Sequence, residues 1–268
     1  MPELPDVEIA RRRLQRWLVG AKATAARCDD PRLTRPVPPH AFERTVARRT
    51  IVALSRRGKW LRIDLDDGGK VFSHLGMTGS WVQVAADTPP QRFERARIDV
   101  TKRGRASSVR YVDSRRFGRL VPAKRDIAVW SALGPDPLAD GIDVRRLSAL
   151  LAKARRSVKE VLMDQRVLAG VGNILATEAL WMARVDPRSA ANALRLAEVR
   201  AVAAATAKAI HRELEDRKAG GDYEAGSFFV YGRAGEPCPR CATRLSSVVL
   251  GGRTSVYCSR CQRRFNRS

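Results

Sequence analysis

Four cysteines constrain the fold of this chain more than any other feature. Cys238 and Cys241 form one C-x-x-C pair, Cys258 and Cys261 form a second, and sixteen residues separate them. Each such turn points two sulfurs at one spot, and the stretch between is long enough for a hairpin that folds the pairs together. The spacing predicts a closed zinc site of four thiolates. It is structural, because no coordination position is left for water or substrate. Metal ligation also implies a reducing compartment rather than a disulfide framework. The fifth cysteine, Cys28, stands alone and reads as a small buried apolar residue. Residues 238–268 carry seven arginines and no acid, which suits a phosphate-facing element. Zinc ribbons also bind proteins and RNA, so the motif by itself does not choose among them.

The basic surplus runs through the whole chain: 51 Lys+Arg stand against 28 Asp+Glu, a formal net charge of +23. Such a surplus calls for a polyanionic partner, nucleic acid or an anionic membrane surface. The bland reading is a basic protein from an arginine-rich proteome. No apolar run approaches the roughly 20 residues that a spanning helix needs. The N-terminus places acids where a secretory signal would have its apolar region. With 268 residues, 44% of them hydrophobic, the chain can build one large or two modest packed domains.

Periodicity divides the chain. Val7, Ala10, Leu14, Trp17 and Leu18 fall on one helical stripe over residues 6–18, with Pro5 and Asp6 suited to its start and Gly20 to its stop. From about 49 to 121, short apolar runs between glycine-rich or charged turns predict antiparallel strands in a sandwich or barrel. Residues 134–141, with two prolines and two glycines, read as a linker. From about 143 to 216 the pattern is helical. A glycine turn interrupts it at Gly170-Val171-Gly172, and a second helix start with proline in first place is expected at Asp186-Pro187. Strands return after Gly220-Gly221.

The first residues can carry chemistry. Loss of Met1 would leave Pro2 as a free secondary amine able to attack an electrophilic sugar carbon, the covalent logic of Schiff-base lysines. Glu3 beside it can donate or relay a proton. A helix starting near Asp6 is expected to turn its positive end toward this corner. Set against this, proline and acids are ordinary helix-start residues.

Taken together the motifs resemble the formamidopyrimidine-DNA glycosylase / endonuclease VIII family. The resemblance is carried in order by Pro2-Glu3-Leu4-Pro5-Asp6-Val7-Glu8, Arg56-Arg57-Gly58-Lys59-Trp60, His74-Leu75-Gly76-Met77-Thr78-Gly79 and Asp113-Ser114-Arg115-Arg116-Phe117-Gly118. It continues through Leu162-Met163-Asp164-Gln165, Gly170-Val171-Gly172-Asn173-Ile174, Val230-Tyr231-Gly232-Arg233, Gly235-Glu236-Pro237-Cys238 and the cysteine hairpin. Through the first 190 residues the glycosylase branch is the closer one. The resemblance implies an α+β protein: an N-terminal antiparallel β-sandwich domain over 1–133 with flanking helices, a linker at 134–142, a helix–two-turn–helix domain over 143–220 and a zinc finger over 230–268. DNA would lie in the cleft between domains.

The resemblance also implies an activity, excision of a flipped-out damaged base followed by strand nicking. Pro2 would be the nucleophile at C1′, Glu3 the acid/base, and Lys59 a cation near the phosphates around the lesion. His74, Asn173 and Arg253 match phosphate contacts. Asn173 follows Gly-x-Gly at a helix start, where backbone N–H groups favour an anion; a plain N-cap is the alternative. For His74 the alternative is a buried, hydrogen-bonded ring before a tight turn. Met77, Arg115 and Phe117 match the residues that fill the gap left by an extruded base, although by pattern alone Met77 and Phe117 belong to a core. Glu178 matches a family glutamate that supports the site from behind. The partner would be damaged double-stranded DNA, not membrane, met by a monomer in the cytoplasm at the nucleoid.

Three departures bear on activity. Asp6 stands where the family usually has Glu, Ser114 replaces a usual proline, and the segment 222–229 is shorter than the loop that closes over 8-oxoguanine in the guanine-lesion branch. The preferred lesion is left open. A catalytically silent protein that keeps the DNA clamp is the alternative, and a zinc-ribbon RNA-associated protein is a third reading. The Pro2-Glu3 pair opposes the former, and the Met77, Arg115 and Phe117 set opposes the latter.

Overall fold

The computed structural model describes residues 2–218 and 228–266, and the chain divides into two compact units. One comprises the start of the chain through Pro2 and residues 6–132; the other comprises Glu3–Pro5 and residues from Leu133 onward. Met1 and most of the short 222–229 segment lie outside the described residues.

The first unit holds α1 (Leu4–Leu18), β1 (Lys22–Cys28), α2 (Pro31–Thr34), α3 (Pro39–Val46), β2 (Ile51–Arg57), β3 (Trp60–Leu65), β4 (Lys70–His74), β5 (Ser80–Ala85), β6 (Glu94–Lys102), β7 (Arg105–Val112), β8 (Arg119–Ala123) and α4 (Ala128–Ser131). Its strands form two four-stranded antiparallel sheets, ordered β1-β6-β7-β5 and β2-β3-β4-β8. One apolar core draws on both sheets (Ile63, Val71, Ile98, Val109), on α3 through Phe42 and Val46, and on the α1 stripe Val7, Leu14 and Leu18. The α1 periodicity is thus realised. The helix begins at Leu4 rather than near Asp6, so Asp6 lies in its first turn, and Leu4 itself is buried among the residues of the second core.

The second unit holds α5 (Val144–Lys153), α6 (Val158–Met163), α7 (Asn173–Met182), a 3-10 turn at Ala191–Ala193, α8 (Leu196–Lys218) and the hairpin β9 (Ser246–Leu250) and β10 (Arg253–Tyr257). Helix α7 is apolar on nearly every side, with eight of its ten residues buried. It is a core helix wrapped by its neighbours, which is why its pattern shows little amphipathic contrast.

Two expectations about breaks are revised. The glycine- and proline-rich run at 134–141 is irregular but packed: Gly134 donates to the Gln165 carbonyl and Ala169 donates to the Pro135 carbonyl. At Asp186-Pro187 no helix starts. The Asp186 carboxylate accepts from the Arg188 backbone and pairs with its guanidinium, closing an Asx turn. The backbone that follows is committed elsewhere, with Val158 donating to Ser189 and Ala190 to Phe265. No helix among the described residues is long and apolar enough to cross a membrane.

Candidate active site and nucleic-acid interface

Glu3 is buried at 2% exposure, and its carboxylate accepts hydrogen bonds from the backbone N–H of Gly172 (3.1 Å), Ile174 (3.0 Å) and Leu175 (3.1 Å). These are the orphan donors at the N-terminus of α7, and a helix N-terminus stabilises an anion there. Two expectations are corrected. The helix end that faces this carboxylate belongs to α7, not α1. The outward N–H groups expected to take an external anion are filled by the chain's own glutamate. The close approach needs glycine at Gly170, whose φ is +97° and where a Cβ would meet Leu4 at 2.7 Å; Leu4 donates in turn to the Gly170 carbonyl at 3.2 Å. Pro2, half-buried, directly precedes the anchored Glu3.

Asn173 is the first residue of α7, with Gly172 at the N-cap, so the plain N-cap reading is set aside. Its side chain donates to the Thr254 carbonyl at 3.1 Å and accepts from the Lys159 ammonium at 2.6 Å. Lys159, fully buried, also donates to Thr177 and Ser255. Burial pulls its pKa down to about 8, partly offset by the charge of Glu3. Lys159 therefore ties α6, α7 and β10 together and places Asn173 beside the start of the strand that carries Arg253. Sequence reasoning missed it, because a lysine on a six-residue helix gives no sign of being buried. Arg253 itself is exposed.

In the first unit, Lys59 occupies the two-residue turn between β2 and β3, after Gly58 at φ +57°. The next residue, Trp60, pairs in register with His74 and packs against its ring at 4.9 Å. Nδ1 of His74 accepts from the Gly76 N–H at 3.0 Å. Burial, with the nearby Lys59 and Arg119 charges, lowers its pKa to about 4. The ring is therefore neutral at physiological pH with its proton on Nε2, so it offers one N–H donor and no charge. A hydrogen-bonded ring before a tight turn matches the alternative reading of this residue.

The loops carrying Met77, Arg115 and Phe117 are fastened by Asp113. Its buried carboxylate accepts from the Thr78 hydroxyl (2.6 Å), the Arg115 N–H (3.1 Å) and the Gly118 N–H (2.8 Å). Gly76, at φ +64°, lets the loops touch: a Cβ there would lie 2.5 Å from the Phe117 carbonyl carbon. The result displays apolar surface rather than burying it. Phe117 is 53% exposed, the Arg115 guanidinium lies 5.0 Å from its ring centroid, and Met77 is half-buried. Elsewhere in the first unit, Glu8 binds Arg11, Arg12 and Arg56. Despite burial, which opposes ionisation, hydrogen bonds from the three guanidiniums hold its pKa down to about 2. Asp113 and Glu8 stand in the quoted motifs without an assigned role, and the distant partner of each, Thr78 and Arg56, is brought in by folding.

The four cysteine sulfurs lie within 4.8 Å of one another, and Cys241 and Cys258 approach to 3.5 Å. Sulfurs at the corners of a tetrahedron with ~2.3 Å bonds to zinc stand roughly 3.8 Å apart, so the donor set fits one zinc ion. All four positions are filled by protein, and the ion is structural.

The comparisons agree from end to end. The model of the formamidopyrimidine-DNA glycosylase N-terminal domain matches residues 1–120, that of its H2TH domain matches 133–223, and that of the zinc finger found in FPG and IleRS matches 235–264. The formamidopyrimidine-DNA glycosylase of Pseudomonas putida is 40% identical over 278 aligned positions, covering 98% of this chain and 100% of the relative. The chain belongs to the formamidopyrimidine-DNA glycosylase family. A 39% identical glycosylase from Thermomicrobium roseum aligns over 98% of this chain and 99% of its own length. Among solved structures, the Lactococcus lactis formamidopyrimidine-DNA glycosylase bound to DNA with an abasic site superposes with a TM-score of 0.88 at 26% identity, covering 98% of this chain and 100% of that one.

Within this family frame, Ser114 is exposed and opens the Arg115 loop. Glu178 lies five residues along α7 from Asn173. It is buried at 1% exposure, and its carboxylate gathers the N–H groups of Phe229, Val230 and Tyr231 at 2.8–2.9 Å. Its visible task is to fix the approach to the zinc hairpin.

Proposed function

We propose that this chain is a bifunctional DNA glycosylase and AP lyase of base-excision repair, acting as a monomer at the nucleoid in the cytoplasm. The observation that carries the reading is the buried Glu3 carboxylate, fixed by three α7 N–H groups next to a proline that becomes the terminal amine once Met1 is gone. The amine nitrogen of Pro2 attacks C1′ of an extrahelical nucleoside, and the bond to the base breaks as the base leaves with a proton. Opening of the sugar ring leaves an iminium between Pro2 and C1′, with Glu3 relaying the protons. The iminium acidifies the C2′ protons. Loss of one expels the 3′ phosphate, a second elimination expels the 5′ phosphate, and hydrolysis frees the amine.

In this reading Lys59 and Arg253 meet phosphates as cations, and His74 and Asn173 meet them as neutral donors. Met77, Arg115 and Phe117 fill the vacated stack, where exposed apolar surface beside a guanidinium can replace lost base contacts. One relative in the family, the Lactococcus lactis glycosylase, has been seen on DNA carrying an abasic site and on DNA carrying N7-benzyl-Fapy-dG, which supports damaged duplex DNA as the substrate class. Among the described residues the Glu3 seat is intact, which weighs against the silent-clamp alternative.

The test is the chemistry of the nicked ends. On a duplex with one abasic site, the protein is expected to leave a one-nucleotide gap with phosphate on both sides. A 3′-hydroxyl end, or no incision at all, would overturn the reading.

A further inference from the structure

The second unit has a cavity that the proposed chemistry does not use. It measures about 560 Å³ and is lined by the end of α7, by one face of α8 and by residues bordering the zinc hairpin. Its floor is aromatic: the Trp181 and Phe229 rings stack with centroids 4.8 Å apart. One wall is a run of small residues on α8, Ala201, Ala204 and Ala205. Its charged lining is all cationic, formed by Arg184, Lys208, Arg212 and Arg240, with no acid among the described lining residues.

The cations fall into two kinds. Arg212 and Arg240 are stacked on the floor, 3.8 Å from the Phe229 centroid and 4.0 Å from the Trp181 centroid, so they stiffen it. Arg184 and Lys208 are exposed. Arg184 is held in the left-handed conformation at φ +59°, with its backbone fixed between Trp181 and Arg263. Trp181 is eight residues along α7 from Asn173, roughly 12 Å of helix at ~1.5 Å per residue. The cavity therefore sits at the opposite end of α7 from the Glu3 and Asn173 corner.

We infer that this cavity is a docking site for an acidic peptide segment of a partner protein, anchored by one aromatic side chain. Met182 and the alanine wall offer apolar area for a ring, and the two exposed cations offer charge to flanking carboxylates. A concave site of this volume with an apolar wall and a few convergent polar groups is what a side-chain anchor requires. A nucleic acid backbone would satisfy the cations and leave the apolar wall uncovered, so a peptide fits the lining better.

The probe is a short fluorescein-labelled peptide of acidic residues ending in phenylalanine, titrated onto the full zinc-loaded chain and read by fluorescence anisotropy. Ala204→Trp fills the cavity without changing its charge, and Arg184→Glu with Lys208→Glu reverses its charge without filling it. Each is expected to weaken binding by roughly tenfold or more, as is replacing the terminal phenylalanine by serine. Ala204→Trp should leave affinity for an abasic duplex unchanged. Equal binding of the serine-ended peptide, or peptide binding indifferent to both sets of substitutions, overturns the proposal. A matching loss of duplex affinity in Ala204→Trp also overturns it, by making the cavity part of the nucleic-acid surface. If the melting temperature shows Ala204→Trp misfolded, the charge-reversed pair decides alone.

Discussion

At the scale of single residues, the account depends on two side chains, Glu3 and His74, held by hydrogen bonds to backbone N–H groups. Glu3 is an acceptor for three N–H groups. Glu3→Gln would put an amide donor against them and remove the charge. Hydrogen bonds to charged groups contribute about 1.5–3 kcal/mol each, and positioned acid–base groups typically contribute 10²–10⁴-fold in rate. Single-turnover base release by Glu3→Gln should fall by ~100-fold or more, with a lower melting temperature; an unchanged rate would remove Glu3 from the chemistry. His74 has a folded pKa of about 4, against an ordinary value near 6.5. Between those values the unfolded chain binds more protons than the folded one, so stability rises with pH across that window and is flat above it. Glu8, held at about 2, adds a second loss as pH falls from 4.5 toward 2. Burial raises the Glu213 carboxyl to about 7, and it works in the opposite sense over the same range. Chemical denaturation from pH 7 to pH 4 should therefore show the wild type losing stability relative to His74→Gln below about pH 6.5. If His74 titrates near 6.5 by NMR, its neutral-donor role is wrong. The proposed nucleophile, the proposed wedge residues and the cysteines were all legible as sequence positions. Lys159 was not, because it is defined by partners that only folding supplies: Thr254 and Ser255 lie about a hundred residues from it in the chain.

At the scale of elements, glycines decide how close the loops can approach. Gly76→Ala combines a left-handed φ of +64° with a Cβ 2.5 Å from the Phe117 carbonyl carbon, and only movement of the Arg115 loop relieves it. The expected cost is at least ~1–2 kcal/mol of stability, together with weaker binding of an abasic duplex. A variant with wild-type melting and affinity would show that the loop is not held as described. Helix α1 was readable from its stripe, and the strands of the central region from their alternation. Strand β1 was not: Lys22–Cys28 has three alanines and no aromatic residue, and its place follows from pairing with β6. Helices α2 and α3 also went unread, being four and eight residues long, too short to establish a period. The Asp186-Pro187 turn was misread because Asp followed by Pro suits an Asx turn as well as a helix start, and the choice was made by the neighbouring segments that took its backbone groups.

At the scale of the whole molecule, the +23 charge predicts salt-dependent binding, since neutralised phosphates release counterions. Substitution should separate the contacts by kind. Arg253→Ala is expected to reduce the slope of log affinity against log salt by about 1, whereas Asn173→Ala and His74→Gln should lower affinity with little change of slope, both being neutral donors. Equal slope changes for all three would contradict this assignment. Zinc acts at the same scale. Its removal by chelation should abolish duplex binding while the β-sheet signal of the first unit persists, and retained affinity in demonstrably zinc-free protein would contradict a structural role for the hairpin in DNA recognition. The measurement that bears most directly on the central claim is borohydride trapping on an abasic-site duplex, followed by mass spectrometry of the cross-linked peptide. The account predicts one adduct, on the nitrogen of Pro2 in a chain that has lost its first methionine, and none with Pro2→Gly. An adduct on a lysine, or trapping that survives Pro2→Gly at the wild-type level, would contradict it.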